Sequence, residues 1–222
     1  MRLEELTKNF KIVIFDSSAL NLLIDFDSHN LVERLQTCQK RTEALRFVKN
    51  YVKEHEGVCI SEMTFEKLKA GGYRHVPKKR RTDAKHFSLI KETPEERKSE
   101  YELKRQIKKE SEARHSLADT FQTKDCVLHL TETEKFLYKY FSSKYEKLKF
   151  QYELDDVQYD FLTAGFTVST ERIEKGLTVL VSNNPKLKNF YISVIGSNSI
   201  VKPKNTWFYT RFGIDNFAAI SM

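Results

Sequence analysis

Residues 12–18 read Ile-Val-Ile-Phe-Asp-Ser-Ser: four apolar side chains in succession, then an acid and two hydroxyls. A run that short, apolar throughout rather than alternating, suits a strand buried on both faces of a parallel sheet. Outward from it, residues 42–54 place Leu45, Val48 and Val52 on one helical face with lysine and glutamate opposite, and Gly57 follows. Val58-Cys59-Ile60 reads as a second strand, and Ser61 to Leu68 as a helix stopped at Gly71-Gly72. Asp155 and Asp156 lead into a helix from Val157 to about Lys175, with Gly176 at its end. Residues 177–182 form another strand, and Tyr191 to Ile195 a further one beyond the turn at Asn184-Pro185-Lys186. Strands alternating with helices predict right-handed crossovers and a three-layer α/β/α fold around a mainly parallel sheet.

The chain has 222 residues, 40% of them hydrophobic, enough for one core without staples. One domain over 1–222 is expected, interrupted by a mainly helical insertion at 73–155. Cys38, Cys59 and Cys126 are odd in number and widely spaced, giving neither a disulfide framework nor a zinc pattern. No apolar stretch approaches a membrane span, and the N-terminal residues lack the h-region of a signal peptide, so a soluble, cytoplasmic protein is expected.

The inserted stretch is where the charge lies. Residues 74–109 hold thirteen Lys/Arg against six Asp/Glu, an excess equal to the net charge of +7 of the whole chain. The cluster includes Lys78, Lys79, Arg80, Arg81, Arg97, Lys98, Lys104, Arg105, Lys108 and Lys109. It reads either as a solvated charged face or as a footprint for a phosphate backbone. Two capping boxes mark helix starts here: Thr93 with Glu96, with Pro94 between them, and Thr131 with Glu134. In the second helix Phe136, Leu137, Tyr140 and Phe141 form an apolar stripe, read as packing rather than as a base-stacking surface.

In open α/β sheets ligands collect at the carboxyl ends of the strands, and polar residues follow each apolar run here. Asp16, Ser17 and Ser18 follow the first, Ser61, Glu62 and Glu66 the second, and Ser182, Asn183 and Asn184 a later one, while Asp156 and Asp160 lie one turn apart on a helix. Such carboxylates repel one another unless a cation joins them, and hard oxygen ligands suit Mg²⁺ or Mn²⁺. The alternative is that Asp16 caps a helix and the other acids simply favour helix starts. Phosphate-cradling glycine loops are absent from the sequence, and none of the six histidines, His115 and His129 included, has metal-binding spacing.

The order of these pieces resembles the PIN-domain family of metal-dependent nucleases. The resemblance rests on Phe15 to Leu20, Ile60 to Gly71, Asp160 to Gly165 and Val179 to Asn184. It implies a Mg²⁺- or Mn²⁺-dependent endoribonuclease in which Asp16 and Asp160 bind the metal, Glu62 or Glu66 completes the set, and Asp156 supports it. Ser18, Ser182 and Asn184 then position water or phosphate. RNA is the implied substrate, with the basic cluster holding its backbone, and an acidic protein of the antitoxin type is a further implied partner. Two departures stand out: Lys67 occupies the family's glutamate position, and Asn184 stands where many members carry a fourth aspartate. They leave open a degenerate relative that binds RNA or a protein without cutting.

Overall fold

The computed structural model describes residues 3–20, 31–70, 94–197, 203, 205–210 and 217–218. Its centre is a sheet in the order β3-β2-β1-β4-β5-β6. The strands are β1 (Ile12–Phe15), β2 (Val58–Ser61), β3 (Val127–Leu128), β4 (Thr178–Ser182), β5 (Thr206–Thr210) and β6 (Phe217–Ala218). The first five are mutually parallel and β6 is antiparallel to β5. All four residues of β1 and of β2, and all five of β4, are buried, as suits their apolar centres, and the buried set includes the polar Ser61, Thr178 and Ser182 at strand ends.

Alternation along the strands divides the interior in two. Val13, Phe15, Val58, Ile60, Val179 and Val181 face one layer, packed with α2 (Leu31–Glu54), α3 (Glu62–Lys69) and α4 (Pro94–Thr123). The short α1 (Leu3–Asn9) contributes Leu6 to the same side. Ile12, Ile14, Cys59 and Leu180 face the other, packed with α5 (Glu132–Gln151), α6 (Asp156–Glu171) and α7 (Pro185–Gly196). That second core is aromatic: Phe190 meets Tyr145, Tyr152, Tyr159 and Phe166 at ring-centroid distances of 5.9–6.5 Å. Helix α6 lies so close to the sheet that a Cβ on Gly165 would come within 2.4 Å of Leu180.

The described part of the stretch expected as an insertion is built into these layers. Helices α2 and α4 run side by side in the same direction, Gln106 donating to Thr42, Lys49 to Ser116 and the Lys124 ammonium to the Lys53 carbonyl. Strand β3 extends the sheet beside β2, and α5 packs on α6. At about 1.5 Å per residue, the 30 residues of α4 span roughly 45 Å, far more than a four-residue strand. Its C-terminal half, with Ala113, Leu117 and Phe121, lies on the core, so its basic N-terminal half reaches past the carboxyl ends of the strands.

Several sequence-based expectations need correction. The strand at Tyr191–Ile195 is part of α7: Asn184 caps the helix by accepting from the Lys186 N–H, Pro185 opens it, and Leu187, Phe190, Tyr191, Val194 and Ile195 bury one face at helical spacing. The strand that follows β4 in the sheet is instead Thr206–Thr210. Helix α2 starts at Leu31, eleven residues before the expected onset. The Thr131/Glu134 capping box forms, and a second one, Asp155 with Gln158, starts α6. Thr93, Gly71, Gly72, Lys78, Lys79, Arg80 and Arg81 lie outside the described residues.

Candidate functional site

Phe15 is in register with Ile60 of β2 and with Val181 of β4, so the next residues, Ser61, Asp16 and Ser182, form a row across three strands at their carboxyl ends. Each lies two residues beyond a side chain of the aromatic core, Cys59, Ile14 and Leu180, and alternation aims all three toward α6. Neighbouring strands are about 4.8 Å apart. From β1 the chain goes to one side of the sheet, and after β3 it crosses to the other, so β1 and β4 flank the point where the strand order reverses, the usual place for a ligand crevice.

Asp16 is buried, 1% exposed. Its Oδ1 accepts from the Ala19 N–H at 2.6 Å, and its Oδ2 from the Ser182 hydroxyl at 2.9 Å. The Ser18 hydroxyl lies 2.9 Å from both oxygens. Ser18 Oγ also sits 3.1 Å from Ser182 Oγ and accepts from the Asn183 N–H, while Ser182 Oγ accepts from the Asn184 N–H. The turn after β1 is thereby tied to the turn after β4. Burial pushes the Asp16 carboxyl up to about 6, against the opposing pull of the Ala19 N–H and the two hydroxyls. Four hydrogen-bond contacts therefore fail to offset its removal from water, and among the described residues no cation forms an ion pair with it.

Asp160 comes down from α6 one strand over. Its Oδ1 accepts from the Tyr138 hydroxyl at 2.8 Å, and its Oδ2 is buried with no hydrogen bond of good geometry among the described residues. Burial raises its pKa and the Glu62 charge adds to the rise, while the Ser61 and Tyr138 hydroxyls and the Met63 N–H act against it. A cavity of about 440 Å³ opens beside it, lined by Ser61, Glu62, His129, Lys135, Tyr138 and Asp160 over an apolar floor.

The expected residues thus fall into distinct places. Asp16, Ser18 and Ser182 share one hydrogen-bonded ring, which Asn184 joins only through its backbone N–H, its side chain being the cap of α7. Asp160 and Glu62 line the cavity next to it. Glu66 is exposed and pairs with Lys69 at 3.8 Å, and Lys67 turns to Asp155 at 3.9 Å. Asp156 is exposed and pairs with Lys149 at 2.5 Å on the surface. Lys104, Arg105, Lys108 and Lys109 are exposed on α4. Among the described residues no three His, Cys, Asp or Glu side chains gather as a metal-holding group. Ser61 was read only as a polar residue at the end of the second strand, and Lys135 and Tyr138 were not among the expected site residues. Only their helix phase, set by the Thr131/Glu134 box, hinted that Lys135 and Tyr138 share a face.

No helix among the described residues is long and apolar enough to cross a membrane. No family model, curated protein or solved structure matches the chain.

Proposed function

We propose that the chain is a Mg²⁺- or Mn²⁺-dependent endoribonuclease with a PIN-like fold, in which Asp16 and Asp160 hold the metal. The observation that carries this reading is the pair itself. Asp16 is buried and Asp160 half-buried with its Oδ2 out of water; both have raised pKa values and stand on the same side of the sheet over neighbouring strands, Asp16 beside the point where the strand order reverses. A buried acid without a cation is costly, and a divalent ion repays that cost. The orphaned Asp160 Oδ2 fits such an ion. Mg²⁺ retains waters and needs only one or two protein carboxylates when substrate phosphate supplies other oxygens, so a site without a third acid is consistent with it.

When bound, the metal would lower the pKa of a water and neutralise charge on the scissile phosphate. The side chains supply the rest. Ser18 and Ser182 can turn their hydroxyls from Asp16 to a phosphate oxygen, and Lys135 brings positive charge to the cavity wall. Glu62, also on that wall, repels phosphate unless a cation lies between them, and Glu66 is turned to Lys69 on the surface. Lys104, Arg105, Lys108 and Lys109 lie on the part of α4 that reaches past the strand ends, and Lys78, Lys79, Arg80 and Arg81 add charge in the same stretch of sequence. This face suits an RNA backbone, and an acidic partner of the antitoxin type would compete for it.

The surface position of Glu66 and the Lys67–Asp155 pair favour a second reading, an RNA-binding module that does not cut. Incubating a mixed RNA pool with Mg²⁺, Mn²⁺ or chelator separates the two. The nuclease reading expects metal-dependent fragments that vanish in Asp16→Asn and Asp160→Asn. RNA that is retained but stays whole with either metal would hand the site to the second reading.

A further inference from the structure

The stripe of Phe136, Leu137, Tyr140 and Phe141 on α5, read from sequence as packing, divides in the folded chain, and Tyr145 and Phe150 extend its two parts. Phe141 and Tyr145 are buried in the aromatic core, whereas Phe136, Tyr140 and Phe150 are 77%, 43% and 69% exposed. Positions 136, 140, 143, 147 and 150 recur at intervals of four and three, so the three exposed rings share one outward face of a single helix. Large rings left in water on one face, with no covering element among the described residues, make that face a candidate contact surface.

Two further features identify what they contact. Lysines are interleaved with the rings: Lys139 and Lys147 are exposed, Lys144 lies 5.3 Å from the Tyr140 ring and Lys149 5.9 Å from that of Phe150. The exposed acids of the helix are fewer, Glu132 and Glu146, and Glu132 is held by Lys135 at 2.6 Å. The cavity beside Asp160 lies round the flank of the same helix: Lys135, one residue before Phe136 and about 100° round from it, lines the cavity, as does Tyr138 from the inner side. A groove for a protein helix would present contiguous aliphatic side chains. Single rings separated by cations instead match unstacked bases and the phosphates between them.

We infer that the outer face of α5 is a stacking platform for single-stranded RNA that leads the strand into the Asp160 cavity, an inference that rests on the nuclease reading for its substrate. Bases stack on Phe136 and Tyr140, Lys139 and Lys147 contact the backbone, and the strand enters the cavity past Lys135. A duplex keeps its bases stacked on each other and gains nothing from the rings.

The test uses the full chain in chelator, so that binding is read without cleavage. Anisotropy of a dye-labelled oligouridylate and of a labelled RNA duplex is measured for wild type, Phe136→Ala/Tyr140→Ala and Phe136→Tyr/Tyr140→Phe. The platform predicts at least a roughly fivefold loss of single-strand affinity in the double alanine variant, near-wild-type affinity in the aromatic exchange, and little change for duplex. Unchanged single-strand affinity in the double alanine variant overturns it, as does an equal loss for duplex. A wild-type dimer that the alanines abolish while single-strand affinity holds would assign the face to a second copy of the chain, and overturns it too. Failure of the nuclease reading looks different: the alanine variant still loses single-strand affinity, but wild type leaves RNA whole with metal. Wild type that cuts, with an alanine variant that binds and cuts equally well, removes the platform alone.

Discussion

The α2–α4 interface and the strand ends each bury acids, and they treat them in opposite ways. Glu110 of α4 is completely buried, yet Arg114 reaches its Oε1 with Nη2 at 2.8 Å and Nε at 3.2 Å, and Arg41 approaches at 3.8 Å from α2. Asp16 is almost as buried and has only two hydroxyls and one N–H, and Asp160 has one phenol at full hydrogen-bond geometry. The fold evidently can place arginine beside a buried carboxylate where it needs one. Leaving the strand-end acids without that neutralisation is what the proposed metal role expects of them.

Removing the acid should therefore have opposite consequences in the two places. Glu110→Ala leaves two arginines in the interface without their shared carboxylate and should cost about 3–5 kcal/mol. In a chain of this size that lowers Tm by roughly 6–20 °C, readable in a thermal melt. A variant that melts like wild type would show that the triad is not what joins α2 to α4.

Asp16→Asn should instead stabilise the metal-free protein. The folded pKa, about 6, lies above the ordinary 3.8, so the folded state holds the proton where the unfolded state has lost it. Stability then falls as pH rises from about 4 to about 6 and levels off above, and the raised pKa of Asp160 adds to the same slope. A gap of about two pH units, at about 1.4 kcal/mol each, bounds the Asp16 share at about 3 kcal/mol. In chelator at pH 7.5 the asparagine variant should melt several degrees above wild type, and the difference should shrink toward pH 4. A variant less stable than wild type at pH 7.5 would make Asp16 a structural cap.

How far this contrast could be read from sequence depends on which links are local. The ring of Asp16, Ser18 and Ser182 was legible because its members sit at or just after the ends of apolar strand runs, and parallel register aligns strand ends. The Asp160–Tyr138 contact was not, because it joins two helices through their packing and neither segment signals it. Sheet assignment failed for a related reason. Tyr191-Ile192-Ser193-Val194-Ile195 has the β-branched content of a strand, but the Asn184 cap with Pro185 and the burial of one helical face outweigh that preference. Val127–Leu128 is too short to announce itself, and it becomes a strand only because β2 offers an open edge.

The smallest effect belongs to an acid that the sequence alone could not assign. Glu66→Gln removes an exposed pair with Lys69, so stability should change by no more than about 0.5 kcal/mol, and metal-dependent cleavage should persist. Abolished cleavage in a normally folded Glu66→Gln protein would mean that α3 sits differently when RNA is bound and would bring Glu66 into the proposed site.

The central claim, that Asp16 and Asp160 share one divalent ion, is tested most directly by calorimetric titration of Mn²⁺ into wild type, Asp16→Asn and Asp160→Asn without RNA. One saturable ion in wild type, with binding lost or at least about tenfold weaker in each single variant, is the predicted result. Mn²⁺ binding of equal strength in all three proteins, or none in wild type at millimolar concentration, would contradict it.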